Sequence, residues 1–220
     1  MQTPTRFSDD SLSPAVRGFV HSPVNPNGNA LILTHGAGSN CNAPLLAALA
    51  EAFSSRDYTV LRCDLPFRQE RPTGPPFPGN AERDRAGLHN AVAAMRRLAS
   101  GRIFLGGHSY GGRQSTMLSA AEPDLVSGLL LLSYPLHPPR KPEQLRTQHL
   151  PNLRTPSLFV HGTRDPFGSI DEMERALQLI PSTKELLKVE GAGHDLEFKG
   201  KTKAKGLPDR VLAAFAAMFP

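Results

Sequence analysis

Short apolar runs, bounded by glycine, proline and polar residues, alternate along this chain with longer stretches whose apolar positions recur every three or four residues. The runs at 16–20, 30–34, 59–63, 103–106, 128–133, 157–160 and 185–189 have strand length. Some are apolar throughout, as in Leu129-Leu130-Leu131-Leu132, which places them inside a sheet buried on both faces. Helical patterning covers 43–53, 81–98, the run after residue 109, 170–179 and 209–218. Within 81–98, Leu88, Val92, Met95 and Leu98 fall three or four residues apart and define one buried face. Strands alternating with helices predict the α/β class: a mostly parallel central sheet with helices on both faces. Such sheets bind ligands at the carboxyl ends of their strands.

Two stretches interrupt the alternation. Residues 65–80 hold Pro66, Pro72, Pro75, Pro76 and Pro78, and residues 134–156 hold six further prolines. Each follows a predicted strand, so each is expected as a proline-stiffened loop at the ligand-binding end. Neither is long enough for a separate cap domain, and 220 residues suit one domain spanning 1–220.

Composition narrows the function classes. With 39% hydrophobic and 20% charged residues the chain is globular and not disordered. A formal charge of +5 partly resides in Lys199-Gly200-Lys201-Thr202-Lys203-Ala204-Lys205, which reads as a solvated loop more readily than as a contact for an anionic partner. No groove-reading module or zinc-finger spacing points to nucleic acid. Cys41 and Cys63 make no disulfide framework. The first ten residues lack an apolar core of signal-peptide length, and no apolar string could span a bilayer. A reducing, cytoplasmic setting without membrane contact is the expectation.

The chemistry centres on Gly107-His108-Ser109-Tyr110-Gly111, which follows a predicted strand and opens a predicted helix. Gly-x-Ser-x-Gly in that context is a nucleophile elbow, a sharp turn whose small residues let strand and helix approach closely. A serine hydroxyl is a weak nucleophile until a base takes its proton, and that base is commonly a histidine oriented by a carboxylate. Downstream, Phe159-Val160-His161-Gly162-Thr163-Arg164-Asp165 and Leu187-Lys188-Val189-Glu190-Gly191-Ala192-Gly193-His194 each run from a strand into a loop. The order Ser109, Asp165, His194 is that of elbow-type hydrolases. Glu190 and Asp195 compete with Asp165 by proximity, but Asp195 adjoins His194, where its side chain would point elsewhere. The N–H of Tyr110 is the expected first oxyanion donor. Ala37, in the small-residue loop His35-Gly36-Ala37-Gly38, is the expected second, with Gly38 as the alternative.

These features resemble the α/β-hydrolase superfamily from about Val16 to Met218. His35-Gly36-Ala37-Gly38-Ser39-Asn40, Cys63-Asp64-Leu65-Pro66-Phe67 and the run from Gly107 to Arg113 are similar to a small, capless, dienelactone-hydrolase-like subgroup. That subgroup includes testis-expressed hydrolase-like proteins and the hydrolase-like domain of a chromatin acetyltransferase-complex subunit. The resemblance implies the hydrolase fold. It departs from dienelactone hydrolases proper, which carry cysteine at the elbow where this chain has Ser109.

The remaining histidines have structural readings. His35 and His161 precede glycines at strand ends, His108 is expected to point into the packing beneath the elbow, and His21, His89, His137 and His149 lack partners at useful spacing. No cluster has metal-ligand spacing, and acyl transfer needs no cofactor. Arg68 and Arg113 could contact a substrate carboxylate or brace the proline-rich loops through backbone carbonyls. Cys41 could line the pocket mouth or simply pack. The expectation is a serine hydrolase acting on a small-molecule carboxylic ester or thioester through an acyl-enzyme on Ser109. A scaffold that keeps the fold without turnover is the alternative, and a peptidase a third, less suited for want of an access-restricting domain.

Overall fold

The structure, a computed structural model, describes residues 3–196 and 206–220. Its strands are β1 (Thr5–Asp9), β2 (Val16–His21), β3 (Ala30–Thr34), β4 (Thr59–Cys63), β5 (Ile103–His108), β6 (Gly128–Leu132), β7 (Ser157–Gly162) and β8 (Lys184–Val189). Between and after them lie α1 (Pro44–Ser54), α2 (Pro66–Glu70), α3 (Asn80–Arg96), α4 (Tyr110–Ala121), α5 (Ile170–Leu177) and α6 (Leu207–Met218). The strands form one eight-stranded sheet in the order β1-β2-β4-β3-β5-β6-β7-β8. β2 pairs antiparallel with β1 and with β4, and every other pairing is parallel.

Side-chain alternation on the strands builds two cores. Leu31 and Leu33 of β3, with Leu130 and Leu132 of β6, face α1 and α6 around Phe53 and Phe215. Ile32, Leu129 and Leu131 face the opposite core, packed by α3, α4 and α5. Each fully buried leucine contributes about 1.5–3 kcal/mol of burial, which is why β6 carries leucine on both faces. The outcome is the expected α/β architecture, with helices on both faces.

Several elements depart from the sequence expectation: α3 ends at Arg96, so Leu98 leaves the expected buried face and is 53% exposed, and α5 ends at Leu177. β1 was not anticipated, because in Thr-Arg-Phe-Ser-Asp only Phe7 packs against the core and no alternation marks the strand. α2 lies inside the expected loop 65–80. Pro66 occupies its first turn, where a missing N–H costs nothing, and Leu65 before it is extended. β5 continues two residues beyond 106, because Gly107 and His108 still pair with β3 and β6. The basic run 199–205 lies outside the described residues. Among the described residues no helix is long and apolar enough to cross a membrane.

Candidate active site

β5 ends at His108 and α4 begins at Tyr110, so Ser109 alone makes the turn, with φ 52° and ψ −114°. A left-handed backbone at a non-glycine residue is strained by roughly 1–3 kcal/mol and persists only where its surroundings hold it. Here Ser109 N–H donates to Leu132 O at 2.8 Å and Ser109 O accepts from Arg113 N–H at 2.9 Å. The flanking glycines are needed for close approach. A Cβ on Gly107 would lie 2.7 Å from Thr34 O, and one on Gly111 would lie 2.6 Å from His35 O.

The loop after β8 brings His194 over the elbow. Its Nε2 lies 2.8 Å from Ser109 Oγ, and its Nδ1 lies 2.8 Å and 3.0 Å from the two carboxylate oxygens of Asp165. Asp165, on the loop after β7, is fully buried at its side chain, whereas His194 keeps 22% exposure and stays within reach of solvent. The Asp165 carboxylate also accepts Phe167 N–H at 2.9 Å, and the Phe167 ring stacks on the imidazole at 4.1 Å. The structure thus brings together the three residues that the sequence order singled out. Glu190 is instead engaged by the Thr163 hydroxyl, and Asp195 stands at the cavity wall.

The neighbouring histidines leave the Asp165 charge to His194. His161 lies 3.8 Å from Asp165 but directs Nε2 at Gly168 O, 2.8 Å away. Burial, acting against the pull of Asp165, holds it below the ordinary imidazole range, so it stays neutral. His35 accepts Leu65 N–H at Nε2, so its Nδ1 carries the proton given to Gly36 O. His108 requires a correction: it does not point into the packing beneath the elbow. Its Nε2 meets His194 O at 2.7 Å and it lines the cavity, tying the elbow to the loop that carries His194. Tertiary contacts supply the partners that spacing had withheld from the others, such as Arg62 for His21 and Thr116 for His149.

A cavity of about 530 Å³ opens over Ser109 and His194. Ala37, Gly38 and Tyr110 contribute to its wall, and the start of α1 adds the apolar Pro44, Leu45 and Leu46. The Tyr110 N–H belongs to the first turn of α4, where an amide has no intrahelical acceptor. Arg68 explains how the Ala37 loop is held. Its guanidinium donates to the carbonyls of Ala37 at 2.8 Å, Ser39 at 2.7 Å, Arg71 at 3.0 Å and Gly74 at 2.9 Å. It is a brace between that loop and the proline-rich one. Among the described residues Arg113 makes no such carbonyl bonds; its side chain lies against the Tyr134 hydroxyl and lines the cavity. Cys41 is committed to Asp64, and its thiol is pushed up to about 12, chiefly by burial.

Sequence reading missed Asp84. This fully buried carboxylate accepts the Tyr110 hydroxyl at 2.7 Å and Phe67 N–H at 3.0 Å, joining the elbow to α2. Burial raises it above the ordinary carboxylate range, against the opposing effect of those two bonds. A signal existed, since Asp84 sits four residues before Leu88 on the buried stripe of α3. Arg146, in the loop after β6, was also missed; it too lines the cavity.

A mostly parallel, doubly covered sheet with a serine at the strand-to-helix turn defines an α/β-hydrolase class of fold. Residues 27–218 match the family described as alpha/beta hydrolase domain, and the chain belongs to it. Dienelactone hydrolase from Anabaena variabilis shares the fold, with TM-score 0.76 at 19% identity over 99% of this chain and 98% of that one. An α/β serine hydrolase without lid from Xanthomonas campestris matches with TM-score 0.76 at 15% identity, over 100% of this chain and 97% of that one. A putative esterase/lipase of Haemophilus influenzae is 30% identical over 117 residues, which is 53% of this chain and 36% of that protein. The match therefore spans about a third of that relative's length.

Proposed function

We propose that the protein is a serine hydrolase that cleaves a carboxylic ester or thioester through an acyl-enzyme on Ser109. The observation that carries this reading is the hydrogen-bonded line from Ser109 Oγ through His194 to Asp165, with 2.8 Å at each step, at the wall of a cavity. With Nδ1–H given to Asp165, the Nε2 lone pair faces the serine hydroxyl. Oγ attacks the acyl carbon as its proton passes to Nε2, and the carbonyl π electrons move onto oxygen. The N–H groups of Tyr110 and Ala37 are the donors proposed for that oxyanion. Collapse expels the alcohol or thiol, which takes the proton from Nε2. Water, deprotonated by the same nitrogen, then releases the acid and restores Ser109.

The esterase/lipase relative and the hydrolase-fold neighbours support this class of reaction. The open cavity favours turnover over a scaffold role, since a scaffold has no need of a base beside an exposed hydroxyl. Hydrolysis of a panel of 4-nitrophenyl esters and acyl thioesters tests it, alongside a peptide-amide panel. Ester or thioester turnover that disappears in Ser109→Ala is expected. Turnover that survives that substitution, or none at all together with a stable protein partner in pull-downs, would overturn the proposal.

A further inference from the structure

Two arginines face the Ser109 cavity, and among the described residues no carboxylate pairs with either. Arg113 lies one turn into α4, Arg146 comes from the loop after β6, and both contribute to the same wall as Ser109 and His194. The backbone of Arg146 is fixed, because its carbonyl accepts the hydroxyl of buried Tyr134 at 2.7 Å and its N–H donates to Leu136 O at 2.8 Å. Its Nη1 makes a long contact, 3.3 Å, to Pro135 O. The Nε of Arg113 is buried without a hydrogen-bond partner. Among the described residues neither guanidinium lies within ion-pair distance of an acid. Asp165, the buried acid nearby, is taken by His194, and the acid that lines the cavity, Asp195, adjoins His194.

The contrast with the two buried arginines is informative, since Arg113 and Arg146 are only half-buried. Arg68 spends its donors on four carbonyls, and Arg62 binds His21 and Cys41 O. This chain satisfies buried guanidinium groups where they are structural, and a buried donor left unpaired costs about 1–3 kcal/mol. The Arg113–Arg146 corner also concentrates positive charge. Burial and then the Arg113 charge pull Arg146 below its ordinary value. His149 beside them is held down to about 4, first by burial and then by Arg113 and Arg85, so it adds no charge at neutral pH. Arg85 donates to Gln114. A carboxylate is the ligand whose two oxygens match guanidinium forks and relieve this repulsion.

We propose that Arg113 and Arg146 form a carboxylate-binding corner of the Ser109 cavity, so that the substrate is an ester or thioester that also bears a free carboxylate. This deepens and rests on the acyl-transfer reading of Ser109. The apolar wall at Pro44, Leu45 and Phe167 suits the hydrocarbon portion of such a substrate.

The test compares mono-4-nitrophenyl glutarate with 4-nitrophenyl valerate, which replaces the carboxylate by a methyl group. The expected kcat/KM ratio favours the anion by about 10-fold or more in the wild type and drops toward one in Arg113→Gln and in Arg146→Gln. Because the readout is a ratio within each variant, a general loss of folded protein does not move it. Equal cleavage by the wild type, or a ratio that survives both substitutions, would overturn the corner while leaving the Ser109 reading intact. If neither ester is cleaved, the acyl-transfer reading is judged by the ester and thioester panel, and calorimetry on Ser109→Ala decides the corner alone. Tighter binding of monomethyl glutarate than of methyl valerate upholds it. Equal binding or none refutes it.

Discussion

In the proposed reaction, Asp165 decides which nitrogen of His194 acts as base. By accepting Nδ1–H it leaves Nε2 unprotonated toward Ser109, and in the proposed reaction the buried carboxylate would stabilise the imidazolium formed during attack. Asp165→Asn keeps the shape but can present an amide N–H to Nδ1, reversing the tautomer. A fall in kcat of about 10⁴-fold with little change in the thermal midpoint is expected, read from ester hydrolysis and a melting curve. A loss below about 10-fold would mean that His194 is oriented by something else. Ser109, Asp165 and His194 were legible in the sequence because strand ends, glycine turns and chain order all point to the same three positions. Asp84, Arg146 and the reach of His108 to the His194 loop were not, since each depends on which side chain a distant segment brings opposite it. No local pattern carries that information.

At the level of elements, the elbow and the loop bearing Ala37 are held by different means. The elbow is a steric fit, and Gly111→Ala would drive a methyl to 2.6 Å from His35 O. This variant is expected to lose stability by about 1–3 kcal/mol, as overpacked sites do, seen as a lower urea midpoint. Gly79→Ala serves as the contrast, because its Cβ would meet nothing within 4 Å and its φ is −78°. Its midpoint should stay level or rise slightly. The Ala37 loop depends instead on the Arg68 brace. Arg68→Met strips hydrogen bonds from four carbonyls, and kcat should fall by about 10- to 100-fold, less than the roughly 10²–10³ typical when an oxyanion donor is deleted outright. An unchanged kcat would show that the loop keeps its position without the brace. Patterning found the central strands because their apolar runs are long. It missed β1, an edge strand with a single core contact, and α2, whose proline reads as a loop signal and here opens a helical turn.

For the whole molecule, buried histidines set the acid limit of stability. His21 and His149 are held down to about 4, in each case chiefly by burial, and His35 and His161 are shifted in the same direction for the same first cause. A base whose folded pKa lies below its unfolded value binds more protons when unfolded, so stability falls as pH drops below the ordinary value of 6.5 toward about 4. Asp84 opposes this, since its raised pKa favours the folded state as pH falls through it. With four histidines against one carboxylate, the denaturation midpoint is expected to be lower at pH 5 than at pH 7, and the difference should shrink in His21→Gln. A midpoint independent of pH across that range would contradict the burial assigned to these rings.

The sheet sets Ser109 at its carboxyl edge, and the central claim is that this serine is an activated nucleophile. Incubation with a fluorophosphonate, followed by mass spectrometry of the proteolysed protein, tests it most directly. The expected result is one phosphonyl adduct on the peptide containing Ser109, absent when Ser109→Ala is treated in the same way. No adduct on the folded wild type, or an adduct that persists after the substitution, would contradict it.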